Sequence, residues 1–327
     1  MIIIEQQRGL DERIAPGMAW IVNQTTMSGT GDDLRASFQD EEFVAETESE
    51  LTQKISSYLY RVCHAGLIAE ADSEFLPALS EDRDFETQLF HAAHRTDRIE
   101  TLPVVGSIEG QDGLVIKLQG LRVLFPSERI ISVGDETADV LLPSVESRLS
   151  LGFMFYTTRR GAGTMSRPLR IYRHISSAAE GLEVWRHLTR WAETENLPLR
   201  AKIISAQAAF PRNDALVAYL PSEAWHRIGD LACLLASENP AAARSIYTRP
   251  LAPGVGLAWE PFDVQGTRTQ ISFGEHRSAA VARGIVAGKG NRSATVAAVR
   301  SQLLASNIDP MAVYRNLDSP PLEWWVS

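Results

Sequence analysis

The chain has 327 residues, with 32 Lys and Arg against 41 Asp and Glu, a formal net charge of −9. Residues 1–150 hold 12 basic and 27 acidic side chains and residues 151–327 hold 20 and 14, so a net −15 is followed by a net +6. The split points to an anionic partner for one half, whereas the acidic total excludes nucleic acid and anionic membranes as general partners.

At 44% hydrophobic and 22% charged, the composition is globular and long enough for one large domain or two moderate ones. No run of about 18 apolar residues predicts a membrane span. Met1-Ile2-Ile3-Ile4-Glu5-Gln6-Gln7-Arg8 lacks the basic start and long apolar stretch of a signal peptide. Thr25 to Asp33 reads as a flexible loop. From Asp33 to Gly66 the apolar residues Leu34, Phe38, Phe43, Leu51, Ile55, Tyr58, Leu59 and Val62 predict helix, with Gly66 as its stop. Residues 71–84 read as an acidic loop and Phe85 to His94 as a helix. The two cysteines, Cys63 and Cys233, are too few for a disulfide framework or a cysteine zinc site. Each falls in an apolar helical pattern, which suggests buried free thiols and a reducing cytoplasm.

The period then shortens. Pro103–Ile108, Gly113–Leu118, Leu121–Pro126, Arg129–Val133, Val140–Pro143 and Phe153–Thr157 predict strands of a mainly antiparallel sheet. The loop Arg159–Arg167 follows. Leu169–Ile175 is a strand, Ser177–Asn196 an amphipathic helix and Ala201–Ser205 a strand. Ala215–Leu220 is a strand after the turn Pro211–Asp214. Ser222 is a candidate cap for a helix to Ser237, and Asn239-Pro240 opens another. Pro250–Gly256 reads as a rigid loop, His276–Gly288 and Ser293–Ser306 as helices, and the Trp324-Trp325 tail as a docked terminus. The resulting expectation is an α+β protein with a mixed or antiparallel sheet and flanking helices. An acidic, mainly helical region spans residues 1–100, and an α+β body spans 101–327. The two can also form one continuous domain.

Strand alternation puts Arg170, Tyr172 and His174 on one face and Leu169, Ile171, Arg173 and Ile175 on the other. A cation, a phenol and an imidazole together form a candidate site; a solvated sheet face is the alternative. Lys202 stands in a short apolar strand. If desolvated it can act as a general base, and otherwise it guards a sheet edge. Asp214 can pair with Arg212 or simply form the turn. Arg249, at the mouth of a loop rich in Pro and Gly, is placed to hold an anion in fork geometry, or the loop is only a crossover. His276 and Arg277 open a helix, whose N-terminus favours phosphate; simple capping by Glu275 and His276 is the alternative. His91 and His94 have helical spacing but no third ligand, so no metal site is expected. No GxGxxG, Walker or GxSxG motif is present.

The segment Arg249-Pro-Leu-Ala-Pro-Gly-Val-Gly-Leu-Ala258, followed by Ser272-Phe-Gly-Glu-His-Arg277, resembles the HopA-type effector family. Further agreement comes from Gly152-Phe153, Leu169-Arg-Ile-Tyr172, Pro198-Leu-Arg-Ala-Lys202, Phe210-Pro-Arg-Asn-Asp214 and Leu216-Val-Ala-Tyr219, over roughly residues 45–320. The sequence departs from the family at Arg173-His174, where a Trp-Asn-like pair is the pattern. The family contains plant-pathogen effectors and the lyases of class V lanthipeptide and thioamitide biosynthesis. The resemblance implies a lyase that eliminates phosphate from phosphoserine or phosphothreonine in a kinase-modified precursor peptide, leaving dehydroalanine or dehydrobutyrine. It implies no metal or organic cofactor, and a kinase-like partner. In that reading Lys202 is the base, Tyr172 or His276 the proton donor, and Arg170, Arg212, Arg249 and Arg277 the phosphate clamp, with Asp214 orienting a cation. A non-catalytic scaffold that binds peptide or kinase, or a host-directed effector, are the competing readings.

Overall fold

The computed structural model describes residues 13–30, 33–67, 81–118, 120–267, 269 and 271–321. In chain order, α1 (Pro16–Asn23) leads into β1 (Thr25–Thr30), β2 (Asp33–Phe38) and β3 (Glu41–Ala45). Then come α2 (Glu48–Leu59), which runs into a π-helical turn at Tyr60–Ala65, and α3 (Arg83–Ala92). Strands β4 (Asp97–Gly106), β5 (Leu114–Leu118), β6 (Leu121–Phe125), β7 (Ile130–Val133) and β8 (Thr137–Pro143) follow, then β9 (Val145–Ser150), β10 (Phe153–Thr157) and β11 (Leu169–Ile175). The rest is α4 (Ala178–Thr194), β12 (Arg200–Ile204), β13 (Arg212–Leu220), α5 (Ile228–Leu235), β14 (Arg249–Ala252), β15 (Val255–Trp259), α6 (Phe273–Ala287) and α7 (Arg292–Ala305).

The strands form three antiparallel sheets: β1-β2-β3, the seven-stranded β14-β15-β11-β13-β12-β10-β9, and β6-β5-β4-β8-β7. The protein is thus α+β. The seven-stranded sheet is covered on both faces, which explains why β11 and β13 are almost wholly buried. One face, with Leu169, Ile171, Ala201, Ile203, Ala218 and Leu220, packs in a cluster with Phe85, Trp185, Leu188 and Leu231 of α3, α4 and α5. The other face contributes Tyr172, Val217, Tyr219 and Ala258 to a second cluster, with α1, α2, α6, α7 and the three-stranded sheet. Segments as distant as Ile14 and Val313 share this second cluster.

Several expectations need correction. The N-terminal part is not mainly helical: β1 replaces the loop expected at 25–33, and β2 and β3 replace the first part of the helix expected from Asp33. The cause is a shared spacing. Leu34 and Phe38 are four apart, which fits a helix face, but a strand also returns to the same face every second residue. Ala36, Phe38, Phe43 and Ala45 are buried in that alternation. Pro250–Gly256 is a hairpin of β14 and β15 rather than a loop. Pro250 is tolerated because β14 is an edge strand. Residues 212–214 belong to β13 rather than to a turn. Asn239-Pro240 opens no helix, and α5 is preceded by a 3-10 segment at Ser222–Arg227 rather than capped by Ser222. Cys63 is buried, and burial pushes its thiol up to about 12; Cys233 is exposed. The tail at Trp324 and Trp325 and most of the 71–84 loop lie outside the described residues.

Candidate functional site

Two rows of side chains cross the second face of the large sheet. The register sets Gly256, Tyr172, Val217, Lys202 and Phe155 side by side in one row. It sets Ala258, Arg170, Tyr219, Arg200 and Thr157 in the next. With strands spaced ~4.8 Å apart, Tyr172 and Lys202 stand roughly 10 Å apart across Val217. Lys202 Nζ lies 4.0 Å from the centroid of Phe153.

The π-helical turn that ends α2 brings two further groups onto this face. A π turn adds a residue, so side chains four apart align, and such turns recur at functional sites. Here Tyr60 and His64 have ring centroids 5.5 Å apart. Gly66 closes the turn with φ 73, a left-handed conformation that glycine adopts without strain. A Cβ on Gly66 would stand 2.4 Å from Asn213 on β13, and one on Gly274 of α6 would stand 2.1 Å from the His64 ring. Both glycines therefore let the turn and the start of α6 close onto the sheet. Ser272 and Glu275 fix that start with a capping box.

Two buried ion networks result. In the first, Arg212 donates from Nε and Nη2 to Asp214 at 2.7 and 2.8 Å, and Arg212 Nη2 also reaches Tyr60 Oη at 3.2 Å. His64 Nε2 lies 3.8 Å from Asp214 Oδ2, and its Nδ1 hydrogen-bonds Ser245 Oγ at 2.8 Å. Burial raises the Asp214 carboxyl, but the charge and hydrogen bonds of Arg212 outweigh it and hold the group well below the usual range. Burial lowers His64 to about 4 despite the pull of Asp214, aided by Arg212, Arg170 and Lys202. His64 is therefore a neutral imidazole at pH 7. In the second network, Arg170 donates to Glu260 from Nε and Nη2 at 2.5 and 2.9 Å, and from Nη1 to Tyr172 Oη at 3.2 Å. Burial pushes the Tyr172 phenol well up, so it stays protonated. Arg277 donates to Val313 O at 3.0 Å, to Asn316 Oδ1 at 2.9 Å and to His276 Nδ1 at 2.7 Å. Burial holds Arg277 down to about 9 and His276 down to about 3. The rings of Tyr172 and Phe273 join the networks, each lying within 5.7 Å of His64.

The structure thus gathers Lys202, Tyr172, Arg170, Arg212, Asp214, His276 and Arg277 around one face. It does not bring Arg249 to them. Arg249 pairs with Leu257, on the apolar face, and lies 5.8 Å from the Tyr314 ring. His174 also leaves its neighbours, because a bulge between Arg173 and Ile175 turns it toward Asn213, 3.0 Å away. His64, Tyr60, Ser245, Glu260 and Asn316 escape sequence reasoning. The acidic partner of Arg170 is 90 residues away in the chain, and only an imidazole just before a helix-stopping glycine could have drawn the eye to His64. Among the described residues, no group of His, Cys, Asp or Glu is arranged to hold a metal ion, and no helix is long and apolar enough to cross a membrane.

An α+β fold with a polar, cation-rich sheet face is what the geometry defines. The HopA1 effector protein family matches residues 144–315, a stretch that contains β10 to α7 and every residue of the two networks except Tyr60, His64 and Asn316. The chain belongs to this family. Two solved structures are similar over 82% of this chain. One is the effector protein from Pseudomonas syringae pv. tomato strain DC3000, at 12% identity and TM-score 0.45 over 95% of that chain. The other is the effector protein from Pseudomonas syringae pv. syringae strain 61, at 9% identity and TM-score 0.43 over 97% of that chain. No match was found among curated proteins.

Proposed function

We propose that this protein is a phosphoserine/phosphothreonine lyase that acts on a peptide phosphorylated by a kinase-like partner, in the cytoplasm, in the making of a lanthipeptide or thioamitide. The observation that carries the reading is the row of Tyr172, Val217 and Lys202 set between two buried networks in which Arg170, Arg212 and Arg277 outnumber Glu260 and Asp214. Such a face attracts an anion and disfavours other ligands.

Elimination moves one electron pair through the substrate. Lys202 Nζ takes the Cα proton, the C–H pair becomes the Cα–Cβ double bond, and the Cβ–O bond breaks with its electrons leaving on phosphate. Tyr172 Oη accepts a hydrogen bond from Arg170, so its own proton is free to go to the leaving group. His276 is the second donor in reach of the reading: its Nδ1 accepts from Arg277, which leaves the proton on Nε2. Arg170, Arg212 and Arg277 are buried and supply positive potential where charge acts strongly. Asp214 orients Arg212. No cofactor enters this chemistry, and Arg249 takes no part in it.

The test is incubation with phosphoserine and phosphothreonine peptides, read by mass spectrometry for loss of phosphoric acid. Lys202→Ala lowers the rate by about 10²–10⁴-fold, the ordinary weight of a general base. A wild-type protein that binds cognate phosphopeptides and leaves their mass unchanged would be a scaffold instead.

A further inference from the structure

Arg170, Arg212 and Arg277 share one property that matters for a ligand: each already donates to internal partners, among them Glu260, Asp214, Tyr60, Tyr172, His276, Asn316 and a backbone carbonyl. Arg200, in the same row as Arg170 and Tyr219, differs. Among the described residues it has no hydrogen bond and no ion pair, and its Nε is a buried donor with no acceptor. What holds it is the Phe155 ring, 5.0 Å from its guanidinium carbon.

Its neighbours are also unpaired among the described residues, although of these atoms Arg200 Nε alone is sealed off. Two residues along β12, Lys202 also has no acceptor and rests on Phe153. Thr157 and Tyr219 flank Arg200 on β10 and β13. Both are nearly buried, at 4% and 8% exposure, yet among the described residues neither hydroxyl has a hydrogen-bond partner. The carboxylate nearest in register is Glu146, across from Phe155, and it is turned to Arg98 at 3.4 Å.

A buried donor is nearly always paired, so Arg200 Nε calls for an acceptor from outside, and the open hydroxyls beside it can share that acceptor. A planar guanidinium matches two oxygens of a phosphate, and hydroxyls adapt to either role and reach a third. A flat carboxylate would use only part of this set, whereas a tetrahedral dianion uses all of it.

We propose that Arg200, Thr157 and Tyr219, beside Lys202, form the binding site for a phosphate monoester dianion. The ester would be the phosphorylated side chain of the substrate peptide, an identification that rests on the lyase reading; the anion site itself does not. The internally paired arginines then set the potential, and Arg200 makes the contact.

Phosphorus NMR titrations of inorganic phosphate and of a phosphothreonine peptide test the site without turnover, provided that thermal melting shows each variant folded. Arg200→Gln should weaken both ligands about tenfold to a hundredfold, the ordinary weight of a charge-assisted pair of hydrogen bonds. Arg200→Lys should recover part of that loss, and the Thr157→Val and Tyr219→Phe variants should each weaken binding by a few-fold. Wild-type affinity in Arg200→Gln, or no phosphate binding by the wild type, overturns the site. Should Arg200→Gln fail to fold, unchanged affinity in the double variant Thr157→Val with Tyr219→Phe overturns it equally. Binding that follows Arg200 without any phosphate release supports the anion site and removes the lyase reading. Release by Arg200→Gln with unchanged KM removes the site and leaves the lyase reading standing.

Discussion

The two faces of the seven-stranded sheet are made from the same strands and differ in almost every physical respect. One carries Leu169, Ile171, Ala201, Ile203, Ala218 and Leu220 beneath three helices. The other carries Arg170, Tyr172, Arg200, Lys202 and Tyr219 beneath the π turn and α6. The apolar face stabilises the fold by removing surface from water. The polar face buries Arg170 and Arg212 as completely, each held by a carboxylate partner, an arrangement that rarely adds net stability. Such an expense on one face and not the other marks where chemistry, rather than folding, selected the residues.

The comparison can be broken most forcefully at the ion pairs. Asp214→Asn leaves Arg212 buried without its charge partner, and the expected loss is about 3–5 kcal/mol in urea unfolding. Replacing the pair together, with Arg212→Met and Asp214→Leu, is expected to lose far less or nothing. Equal losses in the single and double variants would mean that the pair itself stabilises the fold.

The imidazole of His64 gives the next effect. Its pKa in the folded chain is about 4, against about 6.5 when unfolded. Between these values the unfolded chain binds the additional proton, so stability is full above pH 6.5 and falls as the pH drops toward 4. At 1.36 kcal/mol per unit the fall is about 3 kcal/mol. Unfolding free energies from urea titrations across that range should fall less in His64→Gln by this amount.

On the apolar face, Ile203→Val removes one methylene and should cost about 0.5–1.5 kcal/mol, with no change in phosphate release. The smallest stability effect belongs to Lys202→Met. This side chain is half-buried against Phe153 and has no ion pair, so thermal melting should stay within about 0.5 kcal/mol of wild type. A large loss there would place Lys202 among the residues that hold the fold.

Much of the second half was legible because its strands and helices carry strong local patterns. Leu169–Ile175 alternates cleanly, and the helices at Ser177 and Phe273 begin with side-chain caps. That alternation was enough to place Arg170 with Tyr172, and Lys202 proved to share their face. The hairpin at Arg249–Trp259 was hidden by prolines and glycines that usually signal loops, and its register moved Arg249 to the wrong face for the predicted clamp. The first strands were hidden by apolar spacings common to helix and strand. The partners that define the site could not be read at all, since Glu260, Ser245 and Asn316 meet their arginine or histidine only through long-range folding. Arg200 is illegible in the sequence for a related reason, because an unpaired donor is a property of its surroundings and not of its sequence neighbours.

The most direct test compares wild type and Lys202→Ala on one cognate phosphopeptide, with binding and mass followed together. The expected result is loss of phosphoric acid by the wild type, and retained binding with elimination slowed by about 10²–10⁴-fold in the variant. Phosphate release at the wild-type rate from Lys202→Ala would contradict the account.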